Sequence, residues 1–395
     1  MKTLRKTVGR LLSPMIETWR KIRTLLLKTV FFFAPVKGDK ILFLNFNGRG
    51  FGCNPKYIAQ EILDQNLKYD LVWLVSNTQD IFPEGIRKVR YHSARAFYEL
   101  ATARVIVTNV KNDLRLIKKK KQYVIQTWHG SYSSKRLERE AADTLSERYL
   151  KESKYNSKQT DLFLSNSRVL SECYRDAFWC ECEIMECGFP RNDMLFTKNA
   201  DEEIKRIKNT LNIPQNGRVV LYAPTFRDDG SKDVYQIDCK GILQALQKTG
   251  EEWYLMIRMH PNVEDIKAQF TFDQYVINAT PYPDMQELLL ASDILITDYS
   301  STVFEFAAMK KPSFIYAPDV EEYQKMRGLK NDFFRMPYPI CRTRDELLTQ
   351  LNGYSLLSGR EAAQRFMEIF GSVDRGDASE RVVKRIRQVI DGKLD

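Results

Sequence analysis

Short apolar runs recur along this chain, each breaking off into a polar cluster, with helical stretches between them. The first set is KILFLNF (40–46), YDLVWLVS (69–76), RKVRYHS, ARVIVTN (103–109), KQYVIQTWHG ending at His129, TDLFLSNS (160–167) and CEIMECGFPR (182–191). A glycine-rich stretch, NGRGFGCN, follows the first run and leads into a helix, PKYIAQEILDQ, with Pro55 expected at its first position. The pattern then restarts: GRVVLYAPTFRDD (217–229), WYLMIRMHPN (253–262), YVINAT (275–280), SDILITDYSS (292–301) and KPSFIYAPD (311–319). The helices DCKGILQALQKTG, MQELLLA and STVFEFAAMK fall between these runs. Strands alternating with helices predict parallel sheets.

A chain of 395 residues exceeds one ordinary core. The expected fold is α/β, with two Rossmann-like domains facing across a cleft. The expected divisions are an arm over 1–36, a first domain over 37–195, a second over 196–375, and a strap helix over 376–395 that joins the domains. Ligands of such sheets bind beyond the C-terminal strand ends, where nearly all the polar clusters stand.

The net charge of +10 is uneven. Residues 1–36 hold eight basic side chains and Glu17, which gives +7 and leaves +3 for the rest. That balance argues against a nucleic-acid binder. The arm's TLLLKTVFFFAPV (24–36) is too short to span a bilayer, and Lys28 interrupts it. No small-residue cleavage site follows it. Bases mixed with Leu, Trp and Phe predict a basic amphipathic segment lying on an anionic membrane surface; the alternative is a helix packed on the body. Four of the seven cysteines cluster (Cys173, Cys180, Cys182, Cys187) without CxxC spacing, which argues against zinc. The odd count and the lack of a secretory signal predict reduced thiols and a cytosolic body.

Several clusters suit phosphate chemistry. In ITDYSSTVFEF, Asp298, Ser300, Ser301 and Thr302 precede a helix, where hydroxyls and first-turn amides either bind phosphate or cap the helix. Glu305 stands one turn in, at reach of a ribose hydroxyl. Arg258 and His260 alternate along a strand end, as a cation and imidazole for a diphosphate or as a structural pair. Thr225 and Arg227 follow another strand end, as phosphate contacts or as an ion-paired loop. The loop holding Gly50 and Asn54 lacks the dinucleotide fingerprint, and either holds an acceptor phosphate or makes a turn. His129 is one of three histidines. Placed at a strand end before Gly130, it reads as a general base, against the alternative of a packed core residue. No DxD-like motif stands at the site, so this reading requires no metal and no cofactor.

TWHGS, GFPRND, YAPTFRDD, RMHPN and ITDYSSTVFEF, in that order and with NPKYI before them, resemble the CDP-glycerol glycerophosphotransferase family of teichoic-acid synthesis. The resemblance covers both domains, from about residue 40 to 320. It implies a GT-B fold and a peripheral enzyme on the cytoplasmic face of the cell membrane. The implied reaction moves glycerol phosphate, or a related polyol phosphate, from CDP-glycerol or CDP-ribitol to an undecaprenyl-diphosphate-linked acceptor and releases CMP. By motif, His129 corresponds to the general base. Arg258, His260, Ser300, Ser301 and Thr302 correspond to the donor pyrophosphate site, with Glu305 near the ribose. Asp298, Thr225 and Arg227 join the donor side. Gly50, Asn54, Gly130 and Lys135 join the acceptor side, and His260 is the second candidate for a catalytic histidine. Residues 131–135 read SYSSK where the family often has a Thr-Pro-Leu-Lys-like run, a departure on the acceptor side. The competing reading is a GT-B glycosyltransferase using a nucleotide sugar; a non-catalytic membrane scaffold is a third.

Overall fold

The computed structural model describes residues 18–19, 22–111, 117–132, 134–227, 233–260, 263 and 270–394. Most of the arm's basic residues, Asp228 and Asp229 of YAPTFRDD, and Pro261 and Asn262 of RMHPN lie outside the described residues.

Among the described residues, thirteen strands form two sheets. The first holds β1 (Lys37–Leu44), β2 (Asp70–Val75), β3 (Ile86–Arg90), β4 (Ala103–Thr108), β5 (Tyr123–Gln126), β6 (Leu162–Ser165) and β7 (Glu183–Glu186), in the order β3-β2-β1-β4-β5-β6-β7. The second holds β8 (Arg218–Tyr222), β9 (Trp253–Ile257), β10 (Val276–Asn278), β11 (Ile294–Thr297), β12 (Ser313–Tyr316) and β13 (Ile340–Cys341), in the order β10-β9-β8-β11-β12-β13. Every strand pair is parallel. Both sheets reverse their order beside the first strand, at β1/β4 and at β8/β11, and loops from those strand ends form the ligand crevice of such folds. Buried on both faces, the strands need unbroken apolar runs such as ILFL and VVLY.

Two sequence expectations shift. β5 stops at Gln126, three residues short of His129, because Trp128 adopts φ +52° and leaves the β region. Pro55 is third rather than first in the Cys53–Asp64 helix, still within the turn whose amides have no helical partner.

The domains meet over a continuous apolar contact in which Tyr132 of the first packs on Phe304 and Phe370. The Ala378–Ile390 helix buries Val382, Val383, Ile386 and Val389. Asp193 accepts from its first amides at Ala378 and Ser379, at 3.0 and 2.7 Å. Farther along, Arg385 pairs with Glu183 of β7, and the Val389 carbonyl accepts from Arg104 of β4. The Ala378–Ile390 helix therefore packs on the first domain although it follows the second in the chain.

Residues 22–32 of the arm form a helix. Leu27 and Phe31 pack against the first domain, and Lys119 donates to the Ala34 carbonyl at 2.6 Å. Trp19, Ile22, Leu25, Leu26, Val30 and Phe33 are each more than half exposed. A cavity of about 740 Å³ separates Leu25 and Lys28 from Ile117 and from Arg148, Lys151 and Tyr155 of the Glu147–Gln159 helix. No helix among the described residues is long and apolar enough to cross a membrane. Cys180 and Cys182 are joined in a disulfide, which corrects the expectation of reduced thiols throughout; Cys53, Cys173, Cys187, Cys239 and Cys341 are free thiols. The turn entering β7 brings the two α-carbons to 5.4 Å, within disulfide reach.

Candidate active site

Three strand ends of the first sheet converge on His129. The loop after β4 presents the Asn109 carbonyl, 2.7 Å from His129 Nδ1. A carbonyl only accepts, so Nδ1 carries the proton and Nε2 is the lone-pair nitrogen. The loop after β1 lays Phe46 edge-on against the imidazole at 5.2 Å, and Trp128 covers another side at 4.3 Å. Burial pushes the His129 pKa down to about 4; the Asn109 carbonyl pulls upward, Arg191 adds to the lowering and Glu138 opposes it. The imidazole is therefore neutral at pH 7, as a general base must be.

The backbone around it is unusual. Phe46, Asn47, Cys53 and Trp128 all take positive φ without being glycine. Conformations of this kind persist only where their surroundings fix them, and they cluster at functional sites. Asn45 and Asn109 tie the loops together: Asn109 Nδ2 donates to Asn45 Oδ1 at 2.7 Å, and Phe46 N donates to Asn109 Oδ1 at 2.9 Å.

Gly130 lies against the second domain. A β-carbon there would stand 2.9 Å from Ser301 Oγ. The residue that follows the general-base candidate thus meets the hydroxyl cluster across the cleft. Ser300, Ser301 and Thr302 are all partly exposed, and Thr302 Oγ1 donates to Ser300 Oγ at 3.0 Å. Ser301 precedes the Thr302–Ala308 helix but makes no side-chain cap, so its hydroxyl is not spent on the helix amides. That helix has only seven residues, so the hydroxyls matter more here than a long helix's summed dipole.

Other residues expected at the donor site make their contacts within the fold. Arg227 is 2% exposed and pairs with Asp298 at 2.9 Å and Asp319 at 2.7 Å. It also lies over the stacked rings of Tyr299 and Tyr323. Asp298 accepts from the amides of Thr225 and Tyr299. The charges of Arg227 and Asp298 therefore brace two strand-end loops against each other. Glu305 is 1% exposed; one oxygen is ion-paired to Arg191, and the other accepts from Gln286 at 2.6 Å. Both of its oxygens are engaged within the fold. Arg258 directs Nη1 at the carbonyls of Ala279, Thr280 and Tyr282, holding that loop.

Thr225 Oγ1 is buried and makes no hydrogen bond among the described residues. His260 is exposed beyond the end of β9, with the Phe226 ring 5.3 Å away.

The acceptor-side expectations divide similarly. Gly50, at φ +51° in the loop after β1, is partly exposed. Asn54 is fully buried, with its amide donating to the carbonyls of Thr127 and Trp128. Lys135 belongs to an interdomain clasp: its backbone bridges Leu329, Lys330 N donates to Ser134 O at 2.7 Å, and its ammonium lies over Tyr323.

Sequence reasoning missed Asn109 and Arg191. Arg191 stood in the GFPRND motif, which gave a signal but no role. Its amide donates to Asn54 Oδ1 at 3.1 Å, and its guanidinium reaches Cys53 Sγ and Glu305. Burial opposes the charge on Arg191, but Glu305 and Cys53 outweigh it and keep the guanidinium protonated. NPKYI likewise joins the domains, through Lys56 and Tyr57, which both donate to Asp284. Among the described residues, no three of His, Cys, Asp and Glu form a metal-holding group.

The comparisons with known proteins meet this geometry. The profile of the CDP-Glycerol:Poly(glycerophosphate) glycerophosphotransferase family matches residues 26–388. The chain belongs to this family. It is 31% identical over 359 residues to the teichoic acid poly(glycerol phosphate) polymerase of Bacillus spizizenii, covering 88% of this chain and 91% of that one. It is 30% identical over 399 residues to the teichoic acid glycerol-phosphate transferase of Staphylococcus aureus, covering 97% and 99%. It spans about half the length of the polymerases from Staphylococcus epidermidis and Bacillus subtilis, at 50% and 54%. A structure of the wall teichoic acid polymerase TagF soaked with CDPG superposes with a TM-score of 0.83 at 29% identity, over 100% of this chain and 98% of that one. The family resemblance and the two-domain α/β fold read from sequence are thereby shown. Membership places the chain among the transferases of teichoic-acid synthesis.

Proposed function

We propose that this protein transfers glycerol phosphate from CDP-glycerol, or the related polyol phosphate from CDP-ribitol, to a lipid-linked acceptor at the cytoplasmic face of the membrane. The observation that carries the reading is the neutral imidazole of His129, its Nδ1 fixed on Asn109 O, with the following residue, Gly130, against Ser301 across the cleft. An acceptor hydroxyl attacks the polyol-bearing phosphorus and gives its proton to His129 Nε2. The new P–O bond forms as the bond from that phosphorus to the bridging oxygen breaks, and CMP departs with the electron pair. Ser300, Ser301, Thr302, the Thr225 hydroxyl and His260 hold the phosphates, while Arg227, Asp298 and Arg258 fix the loops that carry them. Phosphoryl transfer depends chiefly on such positioning and charge stabilisation. The exposed apolar side of the arm helix and its bases rest on an anionic leaflet, and the acceptor lipid is undecaprenyl-diphosphate-linked. A donor panel tests the reading. CMP release from CDP-glycerol or CDP-ribitol with a lipid-linked acceptor supports it. Turnover of nucleotide sugars alone favours a glycosyltransferase, and no turnover with any donor favours a scaffold.

A further inference from the structure

We infer that Asn54 is a positioning residue for the transfer reaction: it holds the turn that aims His129 and ties that turn to the donor-side helix. This inference rests on His129 being the base.

Asn54 is fully buried in the first turn of the Cys53–Asp64 helix. Its Nδ2 donates to Thr127 O at 3.2 Å and to Trp128 O at 3.0 Å, the two carbonyls immediately before His129. Between them lies Trp128 at φ +52°, a conformation bulky side chains rarely adopt. The amide therefore supplies two of the bonds that hold this turn, beside the one from Trp128 N to Gln126 Oε1 at 3.0 Å. On its other side, Asn54 Oδ1 accepts from Arg191 N, and Arg191 is ion-paired to Glu305 of the Thr302–Ala308 helix. One side chain thus connects the base's turn to the helix that follows Ser300 and Ser301. An asparagine is suited to this task because a single planar group offers two donors and one acceptor. An aspartate has no N–H to give either carbonyl.

Loss of these bonds lets His129 drift, and small misplacement of a reacting group costs about 100-fold in rate. Relaxation also changes what faces the imidazole. Arg191 and Glu138 are the charged groups acting on it, and burial is the main cause of its lowered pKa. A turn opened to water brings the imidazole back toward its ordinary value.

The test uses the full chain with Asn54→Asp and Asn54→Ser. Asp is isosteric but removes both donors; Ser is neutral, keeps one donor and serves if Asp fails to fold. Expected are a kcat lower by about 10- to 100-fold, a donor KM within about twofold of wild type, and, in Asn54→Ser, an acid limb of kcat/KM moved to higher pH. Folded variants with wild-type kcat and pH profile overturn the inference. So does a fall in kcat matched by loss of donor-binding sites, or failure of both variants to fold, since either makes Asn54 a purely structural residue. His129→Ala is measured alongside. If it keeps its rate, the reading of the base fails. If it is inactive while both folded Asn54 variants behave as wild type, the positioning inference alone fails.

Discussion

Gly130 of the first domain lies so close to Ser301 of the second that a β-carbon on Gly130 would stand 2.9 Å from the serine Oγ and 3.6 Å from its Cβ. The first distance is a clash and the second an ordinary contact. Gly130→Ala should therefore displace the Ser301 hydroxyl rather than the helix behind it, raising donor KM several-fold. Ser301→Ala should do the same by removing that hydroxyl, and the double variant should be no worse than Ser301→Ala alone. Steady-state kinetics over the four proteins measures this coupling. Additive losses would show that Gly130 and Ser301 act separately.

Arg227 separates bracing from binding. Replacing it with Ala leaves Asp298 and Asp319 without their buried partner, at an expected loss of about 3–5 kcal/mol. Ser300→Ala and Thr302→Ala, at partly exposed hydroxyls, should lose less than about 1 kcal/mol while weakening donor use. Urea unfolding and donor titration on the three variants decide it. An Arg227→Ala protein of wild-type stability with weakened donor binding would return Arg227 to the list of donor contacts.

Acid should expose the titration of His129. Its folded pKa is about 4 against an ordinary 6.5, so above pH 6.5 the imidazole is neutral in both states and the fold carries no penalty. As the pH falls from 6.5 toward 4, only the unfolded chain takes up the proton, and stability declines across that window. His129→Asn removes this contribution. Its melting temperature relative to wild type should therefore improve steadily between pH 6.5 and 4. A difference constant with pH would mean that the imidazole titrates normally in the fold.

The arm offers a charge-independent test of membrane contact. Leu25, Leu26, Val30 and Phe33 are exposed, whereas Leu27 and Phe31 pack on the body. Replacing the first four with serine should leave melting unchanged and abolish flotation with anionic liposomes, because the apolar surface available to the headgroup region is gone. Undiminished flotation would place the membrane contact elsewhere on the chain.

The two sheets were legible because strands buried on both faces must be apolar throughout, as at Ile41–Leu44 and Val219–Tyr222. β13 was not, since Ile340–Cys341 is two residues long and leaves no periodic trace. His129 and the hydroxyl cluster were legible as polar residues at strand ends. What the sequence could not separate was a charge offered to a ligand from one bonded within the fold. Arg227 and Asp298 look alike in either case, and the partner that settles Arg227, Asp319, lies 92 residues away. Glu305 is decided by Arg191, 114 residues distant, and Asn54 by carbonyls 73 and 74 residues on. The left-handed Trp128 was hidden for another reason: nothing in a tryptophan announces a conformation that its own side chain disfavours.

The central claim is that His129 takes the acceptor proton while the second domain holds the donor. Single-turnover CMP release by His129→Ala, with CDP-glycerol and a lipid-linked acceptor, tests it alongside calorimetric titration of the same protein with CDP-glycerol. The account predicts donor affinity near that of wild type and a transfer rate lower by about 10²–10⁴. Near-normal CMP release from a folded His129→Ala protein would contradict it.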